Sequence, residues 1–85
     1  MGTHEKTLER LLRGTSDASF RFEEIRSLLV HLGFDERVRG SHHIFSRTGI
    51  EEILNLQPRG SQAKPYQVKQ VRALVVRCKL GGSDE

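Results

Sequence analysis

The sequence predicts a small α+β domain in which a helix, three short strands and a second helix follow one another, with a further helix in front. Apolar residues recur at helical spacing in three segments, whereas glycine-containing turns break residues 34–57 into short extended runs. A chain of 85 residues is long enough for one hydrophobic core and too short for two. We therefore expect one domain, with a three-stranded antiparallel sheet and helices on one of its faces.

The first two helices are predicted from their apolar stripes. Leucines in residues 5–13 follow the i, i+3, i+4 spacing of an amphipathic helix. Residues 14–19 are polar and typical of a loop. A second helix over residues 22–32 is indicated by a single apolar stripe, by glutamates in its first turn and by Gly33 just past its end.

Three strands are predicted over residues 34–39, 42–47 and 52–57, because each run ends at a break that contains glycine or proline. Successive side chains of a strand point to opposite faces of the sheet. We therefore expect His42 and His43 to point in opposite directions, and we do not treat them as a paired site.

The last helix is predicted to begin at Pro65, because proline suits the first helical position, where its missing N–H would have had no partner. An apolar stripe continues from there to Cys78. We assign residues 1–19 to an N-terminal helix and loop, 20–80 to the main domain and 81–85 to a flexible tail.

Charge is distributed unevenly along the chain. The net charge is only +3, yet residues 54–83 contain arginines and lysines and no Asp or Glu. Such asymmetry favours a polyanionic partner, with RNA as the leading candidate, although a solvated basic face would look similar. The residues predicted to contact RNA are Arg39, Ser41, Arg59, Lys64, Lys69 and Arg72.

The stretch Gly40-Ser41-His42-His43 carries the candidate chemistry, since it places imidazoles directly after a turn and at the start of a strand. Histidine exchanges protons near neutral pH, because its ordinary pKa is about 6.5. A histidine beside an RNA strand could take the proton of a ribose 2′-hydroxyl, which would then attack the adjacent phosphate. A surface histidine in a hairpin is the competing interpretation, and the residues alone leave both open.

Other site types receive little support. A zinc site needs three or four converging ligands, and Cys78 and the remaining histidines are far apart in the sequence, so we expect no metal and no cofactor. The single cysteine excludes an intrachain disulfide and indicates a reducing compartment. Since no apolar run is long enough for a membrane span, we expect a cytoplasmic protein.

Tyr66 has two interpretations. In the basic half of the chain, it could stack on a base or bond to a phosphate. We expect instead a half-buried side chain that holds the preceding loop in place.

The segments Leu32-Gly33-Phe34 and Arg39-Gly40-Ser41-His42-His43-Ile44-Phe45, together with the basic closing helix, resemble the HicA toxin family over about residues 22–80. The resemblance implies a double-stranded-RNA-binding-like α-β-β-β-α fold and a metal-independent endoribonuclease of a toxin–antitoxin system. It also implies mRNA as the substrate and a cognate HicB-type antitoxin as the partner. By position, it makes His42 the catalytic acid or base, with His43 as the second candidate.

The chain departs from the family pattern in two places. Many members carry Pro-x-His after the third strand, where this chain has Gln57-Pro58-Arg59, so Arg59 or Lys64 would have to supply phosphate contacts. The helix over residues 5–13 is absent from shorter members and could pack on the domain, mediate self-association or contact the antitoxin. Two alternatives remain: a non-catalytic RNA- or protein-binding module of the same fold, and a degenerate toxin kept only as a partner of its antitoxin.

Overall fold

The protein is an α+β fold, as predicted, and the computed structural model describes residues 2–80. The sheet is antiparallel with strand order β1-β2-β3. The flexible tail predicted at residues 81–85 lies outside the described residues. The elements in chain order are α1 (Thr3–Arg13), a single 3₁₀ turn (Asp17–Ser19), α2 (Phe22–His31), β1 (Asp35–Arg39), β2 (His42–Arg47), β3 (Ile50–Leu56) and α3 (Pro65–Arg77).

The element ends differ little from those predicted. Strand β2 has the bounds expected from the sequence, and α3 begins at Pro65. Strand β3 begins earlier than predicted, at Ile50, because a two-residue turn pairs Ile50 directly with Arg47. The predicted loop after α1 contains the 3₁₀ turn Asp17–Ser19.

One hydrophobic core joins the sheet to all three helices. Leu11 of α1 is fully buried in this core, so the N-terminal helix packs on the rest of the domain. Burial of a leucine side chain stabilises the folded state by about 1.5–3 kcal/mol. The fully buried side chains from the other elements include Phe20, Ile25, Leu28, Leu29, Phe45, Leu56, Val68, Val71, Leu74 and Val75.

Arg72 joins α3 to the segment that follows α1. Its Nη1 and Nη2 donate to the two carboxylate oxygens of Asp17, at 2.7 and 3.0 Å, and Nη1 also donates to the carbonyl of Leu11 at 3.3 Å. The hydrogen bond from Arg72 lowers the pKa of Asp17 below its ordinary value. The guanidinium of Arg72, which was predicted to contact RNA, is thus engaged in holding α3 to the segment after α1.

The two faces of the sheet have different surroundings. The face that carries Phe45 packs on the helices, whereas the face that carries His42 is open. The β1–β2 hairpin closes through Gly40 and Ser41, and Gly40 has the positive φ of 60° that the first central position of a type II′ turn requires. This turn pairs Arg39 directly with His42. No helix within residues 2–80 is long and apolar enough to cross a membrane.

Candidate active site

His42 lies on the open face of the sheet, and its side chain is exposed. Its Nδ1–H donates to Oδ1 of Asn55 on β3 at 3.0 Å. Because Nδ1 carries the proton in this bond, the neutral ring has its lone pair on Nε2. Asn55 therefore holds the imidazole in the tautomer whose free nitrogen can accept a proton.

Asn55 was not among the predicted site residues, although the sequence held a signal for it. Asparagine is uncommon in strands, and this one stands between Leu54 and Leu56, which are both buried. Alternation along the strand places Asn55 on the opposite face from the two leucines, which is the face of His42.

His43 points away from His42, as predicted, and lies on the face of the sheet that packs against α2. Its side chain is only 20% exposed, and its Nδ1–H donates to Oε2 of Glu36 at 2.8 Å. The ring also meets Phe22 edge-on, with 4.7 Å between the ring centroids. These contacts give His43 a place in the helix–sheet interface, away from the face of His42.

Glu36 accepts a second hydrogen bond at the same Oε2 atom, from Nε of Arg26 at 2.8 Å. Burial raises the pKa of Glu36, but the hydrogen bonds from His43 and Arg26 outweigh burial, and the pKa lies below its ordinary value. Glu36 is therefore charged at neutral pH, and it ties β1 and β2 to α2.

Two arginines share the open face with His42. Arg39 pairs directly with His42 across the hairpin, and Arg37 pairs with Ile44. Both arginines are exposed, and neither makes an ion pair with another residue in the described part of the chain. Arg39 was predicted to contact RNA and Arg37 was not, although strand alternation places the two on one face.

Hydrogen bonds connect the hairpin turn beside His42 to the start of α3. Nε2 of Gln57 donates to Oγ of Ser41 at 2.9 Å, and the backbone N–H of Gln57 donates to Oε1 of Gln67 at 3.2 Å. Gln67 is only 6% exposed, and its Nε2 donates to the hydroxyl of Tyr66 at 3.4 Å. Neither glutamine was predicted as a site residue, because the network depends on how α3 packs against the sheet.

The other predicted RNA contacts belong to the segment after β3. Arg59 is exposed in a short turn, where its backbone bonds twice to that of Gln62. Lys64 is the N-cap residue of α3, and Lys69 is exposed on that helix. The structure therefore does not bring these three residues onto the strand face that carries His42.

The surroundings of His42 suit a large ligand. A groove of about 340 Å³ lies between β3 and α3, and Asn55 lines it together with Glu52, Ala73 and Arg77, whereas His42 does not. Small molecules bind mainly in concave pockets. An exposed imidazole on an open sheet face is better placed to meet a ligand that covers a surface, such as a polymer.

Within residues 2–80, no three His, Cys, Asp or Glu side chains come together as a metal site requires. Two histidines that are far apart in the sequence do meet. The rings of His4 and His31 stack with 4.3 Å between centroids, and a 2.7 Å hydrogen bond joins Nε2 of His4 to Oγ of Ser27. This contact ties α1 to α2.

Comparison with known proteins does not identify a family for this chain. No family model matches the chain, and neither a curated protein nor a solved structure does so.

Proposed function

We propose that the protein is a metal-independent endoribonuclease of the HicA toxin kind, with a double-stranded-RNA-binding-like fold. The observation that carries the proposal is the exposed imidazole of His42, whose Nδ1–H is bound to Asn55 and whose Nε2 is left to accept a proton. The motif Gly40-Ser41-His42 supports the family, and the open arginine-bearing face supports a polyanionic substrate.

In the proposed reaction, Nε2 of His42 takes the proton of a ribose 2′-hydroxyl. The 2′-oxygen forms a bond to the adjacent phosphorus, and the bond from phosphorus to the 5′-oxygen breaks. The 5′-oxygen takes a proton from water, which reaches the open face freely. The products are a 2′,3′-cyclic phosphate and a 5′-hydroxyl, and the imidazolium returns its proton to solvent.

Arg37 and Arg39 would stabilise the negative charge that builds up on the phosphoryl oxygens. Both are exposed on the strand next to β2, and Arg39 is the direct cross-strand neighbour of His42. Hydrogen bonds from arginine to phosphate are charge-assisted and stronger than neutral ones. They gain most where charge develops in the transition state.

Cleavage of a synthetic RNA in the presence of EDTA tests this function. We expect the wild-type protein to cut the RNA and the variant His42→Ala to cut it at least about 100-fold more slowly, the usual contribution of a general base. His31→Gln is a matched control, because it removes another exposed imidazole and should leave cleavage unchanged. Equal cleavage by the wild type and His42→Ala would exclude His42, and dependence on an added metal would exclude the metal-independent mechanism.

One observation favours a second candidate, a non-catalytic RNA-binding module of the same fold. Within the described residues, His42 has no second imidazole beside it, since His43 lies on the other face. Such a module would bind RNA with steep salt dependence, because neutralised phosphates release counterions, but it would leave the RNA intact. Bound and uncut RNA at high protein concentration would favour this candidate.

The proposed partners follow from the toxin assignment. The substrate would be mRNA, met in the cytoplasm, and a HicB-type antitoxin would neutralise the protein by covering the face that carries His42. Co-expression with the product of the adjacent gene tests the partnership. We expect a stable complex in which RNA cleavage is abolished.

A further inference from the structure

Tyr66 is an aromatic side chain that the proposed reaction does not use. Its side chain is 57% exposed, which is somewhat more open than the half-buried position expected from the sequence. The chain has one tyrosine, four phenylalanines and no tryptophan, and every phenylalanine is buried in the core. Apart from the histidines, Tyr66 is therefore the aromatic ring in residues 2–80 that a ligand can reach.

Tyr66 lies at the end of the molecule that carries the hairpin turn next to His42. Hydrogen bonds run from the hydroxyl of Tyr66 through Gln67 and Gln57 to Oγ of Ser41, at 3.4, 3.2 and 2.9 Å. Ser41 directly precedes His42 in the chain. Only Gln67, Gln57 and Ser41 therefore separate the exposed ring of Tyr66 from His42, and a polymer that binds across His42 could extend to this ring.

The charges around Tyr66 suit a nucleic acid. Lys64 is the N-cap residue of α3, and the first turn of that helix contains no acidic side chain. The N-terminal end of a helix carries a partial positive charge that favours phosphate. A strand whose base meets Tyr66 would have its backbone near this positive end.

We propose that Tyr66 is a stacking site for one unpaired base, so that the substrate of this protein is single-stranded RNA. This inference rests on the proposed ribonuclease function. A single strand offers the faces of its bases to an aromatic ring, whereas a duplex hides them within its stack. The chemistry agrees, because the 2′-oxygen must lie in line with the departing 5′-oxygen, and a regular A-form helix prevents that alignment.

The composition of the chain provides a direct test. Because Tyr66 is the sole tyrosine and tryptophan is absent, the intrinsic fluorescence of the wild-type protein comes from this one ring. We would titrate the protein with a 2′-O-methyl oligonucleotide, which lacks the attacking hydroxyl, as a single strand and as a blunt duplex of the same sequence. We expect the single strand to quench the fluorescence and the duplex to leave it largely unchanged, with N-acetyltyrosinamide as the control for light absorption by the RNA.

Binding of labelled single strands to variants of Tyr66 distinguishes the contribution of the aromatic ring from that of the hydroxyl. We expect Tyr66→Leu to bind roughly tenfold more weakly, within the range for loss of one stacked base, and Tyr66→Phe to bind like the wild type. Binding without quenching, equal quenching by the duplex, or unchanged affinity of Tyr66→Leu would overturn the stacking site and leave the proposed function standing. Failure of the wild type to bind either RNA at low salt would overturn both proposals.

Discussion

His42 and His43 are neighbours in the chain and opposites in their surroundings. His42 is exposed beside arginines, with one ring nitrogen bound to a neutral amide. His43 is mostly covered, with one ring nitrogen bound to a carboxylate that also binds Arg26. Because side chains alternate along the strand, the first imidazole lies on the surface and the second lies in the helix–sheet interface. Two identical side chains therefore have different environments.

The two environments show which contacts leave a histidine accessible and which use it to hold the fold together. A neutral amide orients His42 without adding charge, and the open face leaves the ring exposed to solvent. His43, in contrast, is held by a hydrogen bond to the carboxylate of Glu36, and Phe22 covers its ring. Substitutions at the two positions should thus separate activity from stability.

Exchange of each histidine for alanine gives the largest expected effect. His42→Ala should lower RNA cleavage by at least about 100-fold and change the free energy of unfolding by no more than about 0.5 kcal/mol, as is usual for exposed sites. His43→Ala should lower the free energy of unfolding by about 1–3 kcal/mol, because Glu36 loses a partner in a covered site. Urea unfolding and cleavage assays on both variants measure this, and an equal loss of stability would contradict the comparison.

The pH dependence of stability tests the structural role of Glu36, the partner of His43, together with that of Asp17. Both carboxyls have pKa values below their ordinary ones, Glu36 through His43 and Arg26 despite burial, and Asp17 through Arg72. Their contribution to stability is therefore complete above about pH 5 and is lost as the pH falls below the ordinary pKa values and through the lowered ones. We expect urea midpoints to drop steeply below that pH, and the double variant Glu36→Gln/Asp17→Asn to show a flatter acid slope than the wild type.

Variants of Asn55 test the proposed role of His42 in RNA cleavage. Asn55→Ala should slow cleavage by about tenfold, the lower end of the loss seen when a partner that orients a metal-bound histidine is removed, with little change in urea stability. Asn55→Asp keeps the acceptor and adds a charge that stabilises the protonated ring, so the acid limb of the pH–rate profile should move to higher pH. An unchanged profile for Asn55→Asp would show that Asn55 does not act through His42.

The arginines beside His42 should give the smallest effects. Arg37→Ala and Arg39→Ala should each reduce the slope of log Kd against log salt by about 0.7 for single-stranded RNA, the value for one phosphate contact. Arg72→Lys serves as the control, because Arg72 pairs with Asp17 and should not change the slope. If all three variants had the same slope of log Kd against log salt as the wild type, Arg37 and Arg39 would not belong to the RNA-binding surface.

The sequence predicted much of the fold because its signals are local. The start of α3 at Pro65, the bounds of β2 and the opposite faces of His42 and His43 follow from proline chemistry and strand alternation. The bond between His42 and Asn55 could not be predicted, since it crosses strands whose register shifts between Phe45 and Arg47. A shift of this kind depends on packing of the whole sheet rather than on any short pattern.

The pair formed by Arg72 and Asp17 has a kinetic consequence. The two residues are 55 positions apart, so their contact closes a long loop and is expected to form late on the folding path. Contacts that form after the transition state govern the rate of unfolding more than the rate of folding. Loss of this pair should therefore shorten the lifetime of the folded protein while the chain still folds almost as fast as before.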